Sequence, residues 1–96
     1  MDNKKFVELA VGWVEACLID VLEYVDADTI DIYVVWLSKT LQNNKALLST
    51  DKGDGRYYEI TYNGDKDEFY VDMYRKELNR AISVKETEER GGIKWN

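Results

Sequence analysis

The spacing of apolar residues changes once along this chain, and that change limits what it can fold into. From Phe6 to Tyr24 the side chains of Phe6, Leu9, Ala10, Trp13, Val14, Cys17, Val21 and Tyr24 recur at steps of three and four, which places them on one stripe of an α-helix. Val7, Val11, Leu18, Leu22 and Val25 widen the stripe, and Glu8, Glu15, Glu23 and Asp26 fall together on the opposite side. The helix expected here is half-buried and backed by acids. Asp2 or Asn3 is positioned to cap it by accepting from first-turn amides. Gly12 costs about 1 kcal/mol against alanine in a helix, so it either packs closely against another element or has no reason visible in the sequence.

After the polar break Asp26-Ala-Asp-Thr29 the pattern becomes β-branched and aromatic. The run Ile32-Tyr-Val-Val-Trp-Leu37 is apolar on both alternating sets, which predicts a central strand buried on both faces. Gln42-Asn43-Asn44 supplies turn residues, and Lys45 to Thr50 returns as a second strand. Asp51-Lys-Gly-Asp-Gly55 predicts another turn, leading to a strand over Arg56–Tyr62 with Tyr58, Ile60 and Tyr62 on one face and Tyr57, Glu59 and Thr61 on the other. Asn63-Gly64-Asp65-Lys66 is the strongest hairpin signal in the chain. It leads into a short fourth strand at about 67–71, after which Val71, Tyr74, Leu78, Ala81 and Ile82 step like a helix over about 72–83. The expected fold class is α+β: a three- to four-stranded antiparallel meander with N- and C-terminal helices packed on one face, in the order α-β-β-β-(β)-α. Residues 1–83 form one domain, and 84–96 a charged flexible tail in which Trp95 is the one large group able to dock back.

Function is first narrowed by what the composition lacks. The chain of 96 residues contains no histidine and one cysteine, which excludes a Ser/His/Asp triad, a Cys/His pair, an imidazole metal site and a disulfide framework. A single Cys17 fits a reducing compartment, and at a buried helix position it reads as a small core residue. The turn Asn63-Gly-Asp65-Lys-Asp67-Glu68 resembles half of a calcium loop, but its sixth position is Glu68 where glycine is needed and its twelfth is Tyr74 where a bidentate glutamate is needed. Asp51–Gly55 has glycines without phosphate-loop spacing. No enzyme, metal or cofactor is therefore expected. No run approaches the roughly 18 apolar residues of a membrane span, and the N-terminal stretch is broken by Glu8 and Glu15, so neither a membrane nor a secretory signal is expected.

The charge is lopsided. Residues 1–38 carry eight acids against two lysines, −6, while residues 39–96 carry eleven of each sign, so the first segment holds the whole formal net charge of −6. No basic face is available to neutralise phosphates, and direct nucleic-acid binding is not expected. A partner with a basic surface is, and Glu8, Glu15, Asp20, Glu23, Asp26 and Asp28 are the residues to meet it. Seven tyrosines form a second signal, because tyrosine suits places with one dry and one wet side. Tyr57, Tyr70 and Tyr74 are candidates for an aromatic interface, including a homodimer seam.

The stretches Tyr33-Val-Val-Trp36, Lys39-Thr-Leu-Gln-Asn-Asn-Lys-Ala-Leu-Leu-Ser-Thr50 and Tyr57-Tyr-Glu-Ile-Thr-Tyr-Asn-Gly-Asp-Lys66 resemble a family of small proteins of phages and prophages of Gram-positive bacteria, carried as a domain of unknown function. The resemblance spans roughly residues 31–76. It implies a phage protein acting in the host bacterial cytoplasm and brings no catalytic residues with it. Small acidic phage proteins of this type resemble host-takeover or anti-defence factors, anti-CRISPR proteins among them. The function expected is thus a non-enzymatic inhibitor of a host defence or nucleic-acid-handling protein, such as a CRISPR-Cas nuclease. The alternative is a phage structural or assembly accessory forming a homo-oligomer through tyrosine-rich sheet edges.

Overall fold

A computed structural model describes residues 1–90. Helix α1 (Asn3–Ala16) starts where Asp2 takes extended backbone angles and its Oδ1 accepts from Lys5 N at 2.8 Å, so the cap is Asp2. The helix continues as one π-helical turn, Cys17–Val21, and ends where Glu23 adopts the left-handed φ of 57°. A 3₁₀ turn, Ala27–Thr29, leads into the sheet. Strands β1 (Ile32–Thr40), β2 (Asn43–Thr50), β3 (Arg56–Asn63) and β4 (Glu68–Arg75) pair antiparallel in the order β1-β2-β3-β4, and a short helix α2 (Val84–Glu89) follows. The fold class is the expected α+β open meander, α-β-β-β-β-α.

The core is the seam between α1 and the two central strands. Phe6, Ala10, Val14 and Leu18, at spacings of three to four, are fully buried against Ala46 and Leu48 of β2 and Tyr58 and Ile60 of β3. Those strand residues are cross-strand neighbours, Ala46 beside Ile60 and Leu48 beside Tyr58. Phe6 also stacks on Phe69 with ring centroids 6.1 Å apart. Buried Asn44 ties the start of the helix to the sheet, its Nδ2 donating to the Met1 carbonyl at 3.2 Å and to Asn3 Oδ1 at 3.3 Å.

Several expectations are corrected. β1 is an edge strand, not a central one, and its residues from Tyr33 to Thr40 are exposed. One helix is too narrow to cover four strands, and among the described residues no helix or strand lies on the opposite sheet face, so the doubly apolar run has no cover there. The first turn is Leu41-Gln42, one residue earlier than expected, because Thr40 already pairs with Asn43, and Asn43 and Asn44 belong to β2. β4 is a full strand reaching Arg75, and no helix forms over 72–83. The hairpin at 64–67 locks eight residue pairs of β4 to β3, from Asn63 with Glu68 to Arg56 with Arg75, and this pairing outweighs the helical spacing after Val71. The C-terminal helix comes later, within the segment expected as tail, where Ser83 Oγ accepts from Glu86 N at 3.1 Å. Its residues, Glu86 apart, are exposed, so α2 does not cover the sheet as expected of a C-terminal helix. Gly12 is exposed and a Cβ there would meet nothing within 4 Å, so close packing is not its reason. Trp95 lies outside the described residues.

Candidate functional site

The six candidate acids do not form one helical stripe, because the helix stops before three of them, Glu23, Asp26 and Asp28. Glu8, Glu15, Asp20, Glu23, Asp26 and Asp28 are all exposed. Of these six, Asp26 alone is in an ion pair among the described residues, with Lys52 at 3.5 Å. The left-handed turn at Glu23 reverses the chain and brings Glu23 and Asp28 back beside Glu15, where the three share an open depression of about 520 Å³ with Ile19, Tyr24, Val25 and Ala27. Asp20 stands instead at a groove between the helix end and β4, and Glu8 at a third surface hollow beside Leu9 and Trp13.

The acidic end rests on a rigid support. Tyr24 Oη donates to Asp54 Oδ2 at 2.9 Å, and Arg56 Nη1 donates to that same oxygen at 3.0 Å and to Tyr24 Oη at 3.3 Å. Lys52 Nζ stands 4.6 Å from the centre of the Tyr24 ring. Burial pushes the Asp54 carboxyl up, but the hydrogen bonds from Tyr24 and Arg56 and the Arg56 charge outweigh it and hold the group below its ordinary value. The turn 51–55 is thereby pinned to the helix exit. Burial, with Asp20 adding to it, raises the Cys17 thiol, which makes it a poor thiolate. Among the described residues no three acids or cysteines stand close enough to hold a metal ion. The depression is suited to lysine or arginine side chains, whose stems cover the apolar lining while their heads reach the carboxylates.

A second surface lies on the sheet face away from α1. Tyr57 and Tyr74 are directly opposite each other across β3 and β4, and Tyr70 is opposite Thr61. Tyr33 and Trp36 extend this face onto β1, opposite Ser49 and Leu47. Tyr57 is half-buried, and the Lys76 ammonium stands 5.4 Å from its ring centre. The Tyr70 hydroxyl donates to Glu68 Oε2 at 2.7 Å, which raises its pKa. Tyr74 stands on β4, not on a final helix, while Tyr58 and Tyr62 face α1. Sequence reasoning missed Tyr33 and Trp36. They share a face only because a β-bulge between Val34 and Trp36 shifts the alternation by one residue, and no residue type announces it. A signal for α2 was present, since Ser83 and Glu86 have capping-box spacing.

No helix among the described residues is long and apolar enough to cross a membrane. No curated protein and no solved structure matches the chain. A family does: residues 3–84 match the Family of unknown function (DUF6275), and with most of its length covered the chain belongs to that family.

Proposed function

We propose that this is a non-enzymatic phage protein that binds and inhibits a host defence or nucleic-acid-handling protein, with a CRISPR-Cas nuclease as the concrete candidate, through its acidic helix end. The observation that carries this reading is the convergence of Glu15, Glu23 and Asp28 on one partly apolar depression while none of them is in an ion pair among the described residues. Carboxylates left without cations have no ion pair to break when they meet arginines or lysines, and they gain charge-assisted bonds there. A protein that handles nucleic acid offers such cations in a groove built for phosphates. Three carboxylates are fewer than a stretch of duplex would bring, so the binding is an occupation of part of the groove, aided by the apolar residues beside them.

The test pairs a tagged wild-type chain with the triple variant Glu15→Lys/Glu23→Lys/Asp28→Lys as baits in a Gram-positive host lysate, with direct titration and cleavage assays on a purified CRISPR nuclease. The expected result is a basic protein held by the wild type at low salt, released at high salt, absent from the variant, and inhibited on binding. Equal capture by both baits, or binding indifferent to salt, would sink the reading.

A further inference from the structure

The two edges of the sheet differ in a way that matters. β1 is broken by the bulge after Val34 and carries Lys39 near its end, both devices that discourage pairing with another chain. β4 has neither bulge nor lysine: its eight residues, Glu-Phe-Tyr-Val-Asp-Met-Tyr-Arg, keep unbroken register with β3 and include no proline or glycine, its charges being Glu68, Asp72 and Arg75. Among the described residues its outer row of backbone N–H and C=O groups has no strand beside it. The border is also apolar on the helix side, where Val71 and Met73 are 38% and 39% exposed. They line a groove of about 420 Å³ with Trp13 and Val21 across from them. On the other side stand Tyr70 and Tyr74, both exposed.

From these observations we infer that β4 pairs edge to edge with β4 of a second copy, making one eight-stranded sheet with both α1 helices on the same face. The charge pattern of the strand supports it, since it admits a register in which no like charges stand opposite each other. A two-fold axis normal to the sheet keeps each residue on its own face, so β4 meets its copy only in registers centred on a residue. Centring on Asp72 sets two carboxylates against each other, and centring on Tyr70 sets Asp72 against Glu68. Centring on Val71 avoids both. It places Val71 against Val71 and Phe69 against Met73 on the helix side, and Tyr70 against Asp72 on the other. No β4 residue lines the acidic depression at Glu15, Glu23 and Asp28, so pairing leaves it open and stands independently of the function proposed above.

Light scattering tests this on the full chain. The expected mass at micromolar concentration is twice 11.2 kDa, falling to the single mass in Val71→Lys, which sets two ammonium groups on the axis, while Val35→Lys on the bulged edge leaves the dimer unchanged. A second measurement does not depend on how Val71→Lys folds. In a Cys17→Ser/Val71→Cys chain the new cysteines lie directly opposite, at Cα separations of about 4.5–5.5 Å, within disulfide reach, so mild oxidation should link the copies. A wild-type chain that stays monomeric to high micromolar concentration overturns the inference, as does a dimer that persists in Val71→Lys or fails to cross-link at Val71→Cys.

Discussion

The central strands β2 and β3 and the edge strands β1 and β4 are built from the same residue types, yet their environments are opposite. Ala46, Leu48, Tyr58 and Ile60 are fully buried, whereas Val34, Trp36, Val71 and Met73 remain more than a third exposed. What separates them is position under a single helix. The stripe Phe6, Ala10, Val14, Leu18 buries residues of the two central strands completely and those of the edge strands, such as Ile32 and Phe69, only in part, so strand composition says that a residue fits a sheet while the helix decides whether it is core. Among the described residues the edges are then apolar surfaces without a full layer above them, which is the condition in which a protein seeks a partner.

The sharpest way to break this contrast is to truncate one residue of each kind. Ile60→Ala removes a buried side chain from the seam and should cost about 2–5 kcal/mol, whereas Val35→Ala on the exposed β1 bulge should stay within about 0.5 kcal/mol. Urea denaturation of the two variants measures both. Similar losses would mean that β1 is covered in solution by something other than α1.

How far the sequence could be read follows the same division. The helix, a cap at Asp2 or Asn3 and the β3–β4 hairpin were legible because each depends on near neighbours: the stripe period, an oxygen three residues before an amide, and Asn63 Oδ1 accepting from the amides of Asp65 and Lys66 at 3.1 and 3.2 Å. The place of β1 in the sheet and the extent of β4 were not, because they depend on which strands find two neighbours. An apolar run reads as central whether or not a second layer exists to bury it. At the candidate site, the acids were visible in the sequence and their grouping was not. Glu15, Glu23 and Asp28 converge through one left-handed residue, and glutamate gives no hint that it will adopt that conformation.

A second prediction sets buried and exposed tyrosines against each other. Tyr58 is fully buried and its hydroxyl has no hydrogen-bond partner among the described residues, and burial, with the nearby Asp54 charge adding to it, pushes its pKa up to about 12. Tyr62, by contrast, gives its proton to a hydrogen bond with Asp67 Oδ1 at 2.6 Å on the surface. Because the folded pKa of Tyr58 is raised above the unfolded value of about 10, the stability linked to it is complete below pH 10 and is lost as pH climbs through 12. The loss amounts to about 3 kcal/mol when that window is crossed. Tyr58→Phe should remove the alkaline loss and, by deleting an unpartnered buried hydroxyl, leave stability at neutral pH unchanged or higher. Denaturation midpoints across the alkaline range read this out, and an unchanged alkaline loss in Tyr58→Phe would assign it to other groups.

The smallest effects come from two positions on one helix where the residue and the backbone disagree. Gly12 occupies an exposed helical site with open space around its Cα, so Gly12→Ala should stabilise by about 1 kcal/mol through helix propensity and a less disordered unfolded state. Glu23 holds a φ of 57° at the helix exit, a conformation that costs a side-chain-bearing residue about 1 kcal/mol and that glycine adopts freely. Glu23→Gly should therefore also raise the melting temperature. The two differ in what else they change: Gly12→Ala leaves the acidic depression untouched, whereas Glu23→Gly removes one of its three carboxylates. If the glutamate is kept at a strained turn for binding, the second variant gains stability and loses affinity for a basic partner, while the first gains stability alone. A Glu23→Gly chain that is more stable and binds as before would show that the turn carries the acid for no purpose, and would shift the interaction onto Glu15 and Asp28.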